Sequence, residues 1–169
     1  MHGSLEQFLD QVARRGSWVG GGSVSALSAA LAAALLEKLI ADPRQARHLR
    51  QLRRACVGLI QRDATAFARV IRATRAKNRQ AFHRSLKAAT NVPCQVFAHA
   101  QAIQAACRKA QRAIKPRFQS DLRCAMALAL AAAESARTLI HTNLHWLNDR
   151  AYARTVWRRL QATSRTRVH

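Results

Sequence analysis

The chain has 169 residues, 49% of them apolar and 22% charged, which is globular rather than disordered composition for one domain or one domain plus a tail. Lys plus Arg number 29 against 8 for Asp plus Glu, a net charge of +21, and 24 of the 29 are Arg. Such a surface attracts polyanions without a sequence code or coats solvated helix faces; it says nothing about fold. Thirty-five alanines with only 3 prolines and 6 glycines favour helices packed closely through small side chains.

Ser4 is a good cap for a first short helix with Leu5, Phe8, Leu9 and Val12 on one face, ended by Gly16. Gly20-Gly21-Gly22 permits any backbone geometry, and Ser23 reads as the N-cap of a helix running to about Ala41. Leucines at 27, 31, 35 and 39, with alanine on the remaining faces, mark this helix as central. Its helical part holds about 14 residues before Glu37, too short for a membrane span. Asp42-Pro43 starts a long helix from Arg44 to about Lys77, striped by Leu49, Leu52, Cys56, Leu59, Ile60, Phe67, Val70 and Ile71. A turn near Asn78 leads into a helix from Arg79. Pro93 predicts a kink or break near Asn91, after which the pattern resumes to Pro116. Ser120 reads as the cap of the next helix, whose uncharged middle from Cys124 to Ala133 makes it central as well. Asn148-Asp149 is a turn or a continuation. The segment from Arg150 is helical at first, then a frayed basic tail.

No strand signal appears. The expected fold is all-α, a single-domain bundle of about five to six helices around a buried Ala-rich helix, with residues 1–149 as the helical domain and 150–169 as a basic C-terminal helix or tail. Cys56, Cys94, Cys107 and Cys124 form no CxxC pair and have no His at metal spacing, so they read as small buried hydrophobes in a reducing compartment. No metal and no cofactor are expected. Arg14 and Arg15 follow a patterned acidic helix rather than forming a basic export leader, which favours a cytoplasmic protein.

The stretches Leu5-Glu6-Gln7-Phe8-Leu9-Asp10-Gln11-Val12-Ala13 and Gly20-Gly21-Gly22-Ser23-Val24-Ser25-Ala26-Leu27 resemble the opening of the cyclodeaminase/cyclohydrolase family. Arg62-Asp63-Ala64-Thr65-Ala66-Phe67, Ala89-Thr90-Asn91-Val92-Pro93, Ser120-Asp121-Leu122 and Asn143-Leu144 with Asp149 resemble its later landmarks in order. The chain departs from the family pattern at Val19, where a proline is usual, at Leu139, where an asparagine is usual, and in its basicity. The resemblance implies a folate one-carbon enzyme, a methenyltetrahydrofolate cyclohydrolase or a formiminotetrahydrofolate cyclodeaminase, with a tetrahydrofolate derivative as substrate and a homodimeric assembly. Apolar surface on the two central helices supports the dimer independently. The alternative is a non-catalytic helical protein of the same fold that binds nucleic acid or another polyanion nonspecifically through its arginines.

The glycine loop opening a helix is a natural anion site, so Gly20, Gly21, Gly22 and Ser23 are candidates for substrate binding. They serve equally well to let two helices cross closely. Ring closure or hydrolysis at a one-carbon bridge needs proton transfer, for which a carboxyl is suited. Asp63 and Asp121 are the candidates; their plain alternatives are an ion pair with a nearby Arg and a helix-start acid, respectively. Asn143 shares a face with Leu139 and Leu147 and either orients substrate or satisfies a neighbour. Lys38, among leucines, either reaches out to water or marks a cavity. The expectation is one site made of the glycine loop and Asp121, within a chain or across a dimer interface.

Overall fold

The computed structural model describes residues 4–165, with side chains to residue 162. These form six α-helices and one short 3-10 turn, with no strand among them. Helix α1 (Leu5–Ala13) is closed by a capping box: the Ser4 hydroxyl accepts from Gln7 N–H, and the Gln7 side chain accepts from Ser4 N–H. Phe8 is its one buried residue and anchors it to the bundle. Gly16 at φ +76 then turns the chain toward the glycine loop, a conformation that suits glycine.

Helix α2 (Gly21–Leu39) is the hub, packed against α3 (Pro43–Arg75), α4 (Arg79–Ala110) and α5 (Gln119–Leu147). Ala26, Ala29, Ala30, Ala32 and Ala33 are buried on it, and Ala125, Ala129, Ala132, Ala133 and Ala136 on α5. Methyl-sized faces let the backbones approach until side chains bond neighbouring carbonyls directly. Ser28 Oγ donates to Leu128 O at 2.9 Å, and Gln104 Nε2 donates to Ala129 O at 3.2 Å. A larger residue at these alanines would overpack the core, at a cost of about 1–3 kcal/mol each. Leu36, Leu49, Leu59, Ile103 and Ile140 fill the wider gaps.

Helix α2 starts at Gly21, two residues before the expected cap, and its 19 residues are long and apolar enough to cross a membrane by length and composition alone. Its place among three helices accounts for that apolarity, and the reading of its uncharged part, about 14 residues, as too short for a span is corrected. Ser120 does not cap α5. The 3-10 turn Pro116–Phe118 feeds directly into the helix, whose N-cap Phe118 supplies no side-chain bond. Asp42 caps α3 as expected, accepting from Gln45 N–H at 2.8 Å, and Asn78 caps α4, accepting from Ala81 N–H.

Of the kink or break expected near Asn91, the break does not occur: α4 runs without interruption through Pro93. An interior proline costs roughly 3 kcal/mol. Burial of Leu86, Val92, Pro93, Val96 and Ile103 along the same helix holds it together against that cost.

The chain turns at Asn148, which is left-handed at φ +50, and Asp149 caps α6 (Arg150–Arg165) by accepting from Tyr152 N–H. Val156 and Leu160 of α6 share a small core with Ile140 and Leu144 of α5. The expected frayed tail falls on residues 166–169, outside the described residues. Cys56 and Cys107 are buried as expected, and burial pushes their thiols up to about 12 and about 11. Cys124 is exposed, which corrects the reading of all four as core residues.

Candidate functional site

The N-terminus of α2, the middle of α3, the middle of α4 and the last turns of α5 enclose a cavity of about 210 Å³. Gly20, Gly21 and Gly22 form one wall, Asp63 and Phe67 a second, Ala89 and Pro93 a third, and Leu139, Thr142, Asn143 and Trp146 the fourth.

Asp63 is the centre of this arrangement. The glycine-initiated α2 has no side-chain cap of its own, and Asp63 supplies one from the neighbouring helix. Ser23 Oγ donates to Asp63 Oδ2 at 3.1 Å and lies 3.0 Å from Ile60 O, and the Ser23 N–H also donates to the carboxyl. Ser23 is therefore the third residue of the helix rather than its cap. Gly22 packs its Cα against the carboxyl so closely that a Cβ there would overlap it, whereas a Cβ on Gly20 would meet nothing within 4 Å. Burial raises the Asp63 pKa above its ordinary value, and the two Ser23 bonds oppose that shift without cancelling it. Among the described residues no Arg pairs with it, so the ion-pair alternative for Asp63 is corrected.

With Ser23 N–H engaged by Asp63 and Val24 N–H by Gly20 O, the Gly21 and Gly22 N–H groups have no partner within the helix and lie at the cavity wall. The helix N-terminus adds partial positive charge there. The Asn143 side chain, at the same wall, makes no hydrogen bond to a described residue, so its amide is open to a ligand. Aromatic rings line the cavity. Trp18 meets Phe67 edge-on with centroids 6.5 Å apart, the Arg75 guanidinium lies 5.9 Å from the Trp18 ring centroid, and Trp146 is 53% exposed. In a chain with 5% aromatics, three of them lining one cavity is a signal that sequence reasoning passed over. Thr142 was missed as well, having no motif to mark it. Among the described residues no three His, Cys, Asp or Glu side chains converge as a metal cluster.

The remaining two candidates lie elsewhere. Asp121 pairs with Lys38 Nζ at 3.1 Å, with side chains 36% and 65% exposed. Lys38 is in the last turn of α2, about 27 Å of helix from Gly20 at ~1.5 Å per residue. Within one chain the expected shared site of Asp121 and the glycine loop is thus not formed, because the central helix separates them. Lys38 reaches water rather than a cavity.

A helical bundle with a carboxyl, open backbone donors and aromatic rings around one cleft defines a small-molecule site rather than a nucleic-acid surface. The formiminotransferase-cyclodeaminase family model matches residues 4–41 and 43–162, and the chain belongs to that family. The crystal structure of formiminotetrahydrofolate cyclodeaminase from Thermotoga maritima superposes with a TM-score of 0.89 at 22% identity, covering 98% of this chain and 90% of that one. At that identity the likeness shows the fold. No curated protein matches the chain. The family assignment supports a folate-related, cyclodeaminase-like function and does not favour the non-catalytic polyanion-binding alternative.

Proposed function

We propose that this chain is an enzyme acting on the one-carbon bridge of a tetrahydrofolate derivative, with Asp63 as the proton-transfer group. The observation that carries this reading is the half-buried carboxyl of Asp63, raised in pKa, at the wall of a cavity that also offers Gly21 and Gly22 N–H donors. A carboxyl tuned upward toward neutrality is suited to both giving and taking a proton.

In cyclodeamination, N10 of the substrate adds to the carbon of the formimino group, which enters protonated as an amidinium, and N10 gives up its proton. The C–N bond to the former imine nitrogen then breaks, and that nitrogen leaves protonated, as ammonia, while the methenyl bridge forms. One carboxyl that accepts the first proton and supplies one to the departing nitrogen serves both halves. In hydrolysis the same group would deprotonate the water that adds to the methenyl carbon. The cavity volume of about 210 Å³ is below the range of drug-sized sites, ~300–1,000 Å³, and suits the bicyclic head of a folate more than the whole molecule. Trp18, Phe67 and Trp146 supply apolar faces for that ring, and Asn143 a donor–acceptor pair for its edge. The glutamate end would then lie outside, over an arginine-rich surface that includes Arg75 beside Trp18.

The test is an absorbance assay on purified protein with each substrate in turn. Growth of the methenyl band from formiminotetrahydrofolate assigns cyclodeamination, and its decay in methenyltetrahydrofolate assigns hydrolysis. Absence of both, with neither compound bound, overturns the reading.

A further inference from the structure

The hydroxyls of Thr65, Thr74, Thr90, Thr138 and Thr155 each donate to the backbone carbonyl four residues earlier in their helix, at 2.7 to 3.1 Å. That bond is the usual way for a helical threonine to satisfy its side chain. Thr142 departs from it. It is half-buried on α5, and its hydroxyl makes no hydrogen bond to a described residue. Thr142 borders the cavity on the wall formed by α5. One donor and the acceptor lone pairs of a hydroxyl are thus left free at that wall.

Its neighbours on α5 fix its level in the cavity. Leu139, one turn earlier, comes within 3.8 Å of the place a Cβ on Gly21 would take, and a Cβ on Gly22 would overlap the Asp63 carboxyl. Helix α5 therefore meets the start of α2 next to Asp63, and Thr142 follows about 4.5 Å further along at ~1.5 Å per residue. Trp146, four residues beyond it, marks the open side at 53% exposure. Thr142 stands between the proton-transfer end and the aromatic mouth.

We propose that the Thr142 hydroxyl hydrogen-bonds the polar atom of the one-carbon unit on the bound folate, and so selects ligands whose one-carbon unit is polar. This rests on the folate reading above. A formimino group presents an N–H, which the hydroxyl accepts. A formyl group presents a carbonyl oxygen, to which the hydroxyl donates. A hydroxyl rotates to serve either, whereas the Gly21 and Gly22 N–H groups serve only the second. A methyl group offers neither donor nor acceptor, so binding it leaves the hydroxyl unmet. Asp63, already bonded to Ser23, handles the proton, and Thr142 holds the unit at which the proton is exchanged.

The experiment is calorimetric titration of the full chain, in oxygen-free buffer, with 5-formyltetrahydrofolate and with 5-methyltetrahydrofolate. Wild type is compared with Thr142→Val and Thr142→Ser. Valine keeps the shape and removes the hydroxyl; serine keeps the hydroxyl and removes the methyl. Loss of one neutral hydrogen bond predicts that Thr142→Val binds the formyl ligand about tenfold more weakly. Its affinity for the methyl ligand should not fall. Thr142→Ser should bind the formyl ligand within about threefold of wild type, a change of under 1 kcal/mol. Unchanged formyl affinity in Thr142→Val overturns the role of the hydroxyl and leaves the folate reading standing. An equal loss on both ligands, or an equal loss in the serine variant, overturns it in favour of simple packing. Failure of the wild type to bind 5-formyltetrahydrofolate overturns both.

Discussion

Asp63→Asn separates the chemical role of this side chain from its structural one. Asparagine keeps the size and keeps an oxygen that accepts from Ser23 N–H. The Ser23 hydroxyl, already 3.0 Å from Ile60 O, retains an acceptor whether or not the new amide accepts. Losing the charge assistance of these bonds costs about 1 kcal/mol. Opposing this is the release of a carboxylate that burial disfavours, and burial is the larger influence on the Asp63 pKa. The sign of the pH dependence follows. Between the ordinary aspartate value and the raised folded value, the folded chain holds more protons than the unfolded one, so wild-type stability falls as pH rises through that window. The Asp63 contribution is fully present below the unfolded value and lost above the folded one. The asparagine variant does not titrate there, so it should melt higher than wild type at neutral pH and show no such advantage in mild acid. Turnover in the absorbance assay should drop ~10²–10⁴-fold, the contribution of a positioned acid–base group. A variant that keeps wild-type turnover while the Ser23 contacts remain would refute the assignment of proton transfer to Asp63.

Gly22→Ala should destabilise the protein by about 1–3 kcal/mol, because its methyl overlaps the Asp63 carboxyl, while Gly20→Ala, with open space around it, should melt within about 0.5 kcal/mol of wild type in chemical denaturation. Asp121→Asn removes an exposed ion pair with Lys38 and should cost under about 1 kcal/mol with turnover unchanged. A strong loss of turnover would instead bring Asp121 into the site from a second copy of the chain. Leu31 on α2 and Leu130 on α5 are 50% and 48% exposed, and Val24, two turns before Leu31, shares its face. We expect this face to be covered by a second copy, so sedimentation at low micromolar concentration should give a dimer; a species of 18.8 kDa alone would contradict it.

The order of helices was legible because the apolar spacing, Asp42-Pro43 and Asn78 act locally, each within a turn or two of the residue that displays them. The misreadings came from tertiary forces. Ser23 looked like a cap because serine before a helix bonds the backbone that follows it. The real partner was a carboxyl 40 positions away, and no local pattern shows which helix will lie across the glycine loop. Pro93 looked like a break because its local cost is real, but the burial of Val92 and Val96 outweighs it. Asp63 and Asp121 are both acids in family-like stretches, and the sequence reading paired Asp121 with the glycine loop, whereas in the fold Asp63 lies there and Asp121 at the far end of α2. What separates them is which end of α2 each one meets, a property of the packed bundle rather than of either segment.

The same geometry explains why the site is inseparable from the fold. A helix that begins with glycines and lacks a side-chain cap leaves its first N–H groups unmet, and burying them bare would be costly. Asp63 meets the Ser23 N–H and so secures the junction of α2 and α3. That duty requires a side-chain oxygen at the wall of the cavity, beside the Gly21 and Gly22 N–H groups, and Asp63 supplies it as a carboxyl. The loop's remaining donors and the carboxyl therefore face one space because the helix start needs a cap and the cap satisfies only part of it. Removing Asp63 to gain stability costs the group proposed for proton transfer, and adding a side chain at Gly22 to stiffen the loop displaces the carboxyl. The two substitutions should consequently fail in different ways, Asp63→Asn in turnover with the fold intact, Gly22→Ala in stability and turnover together.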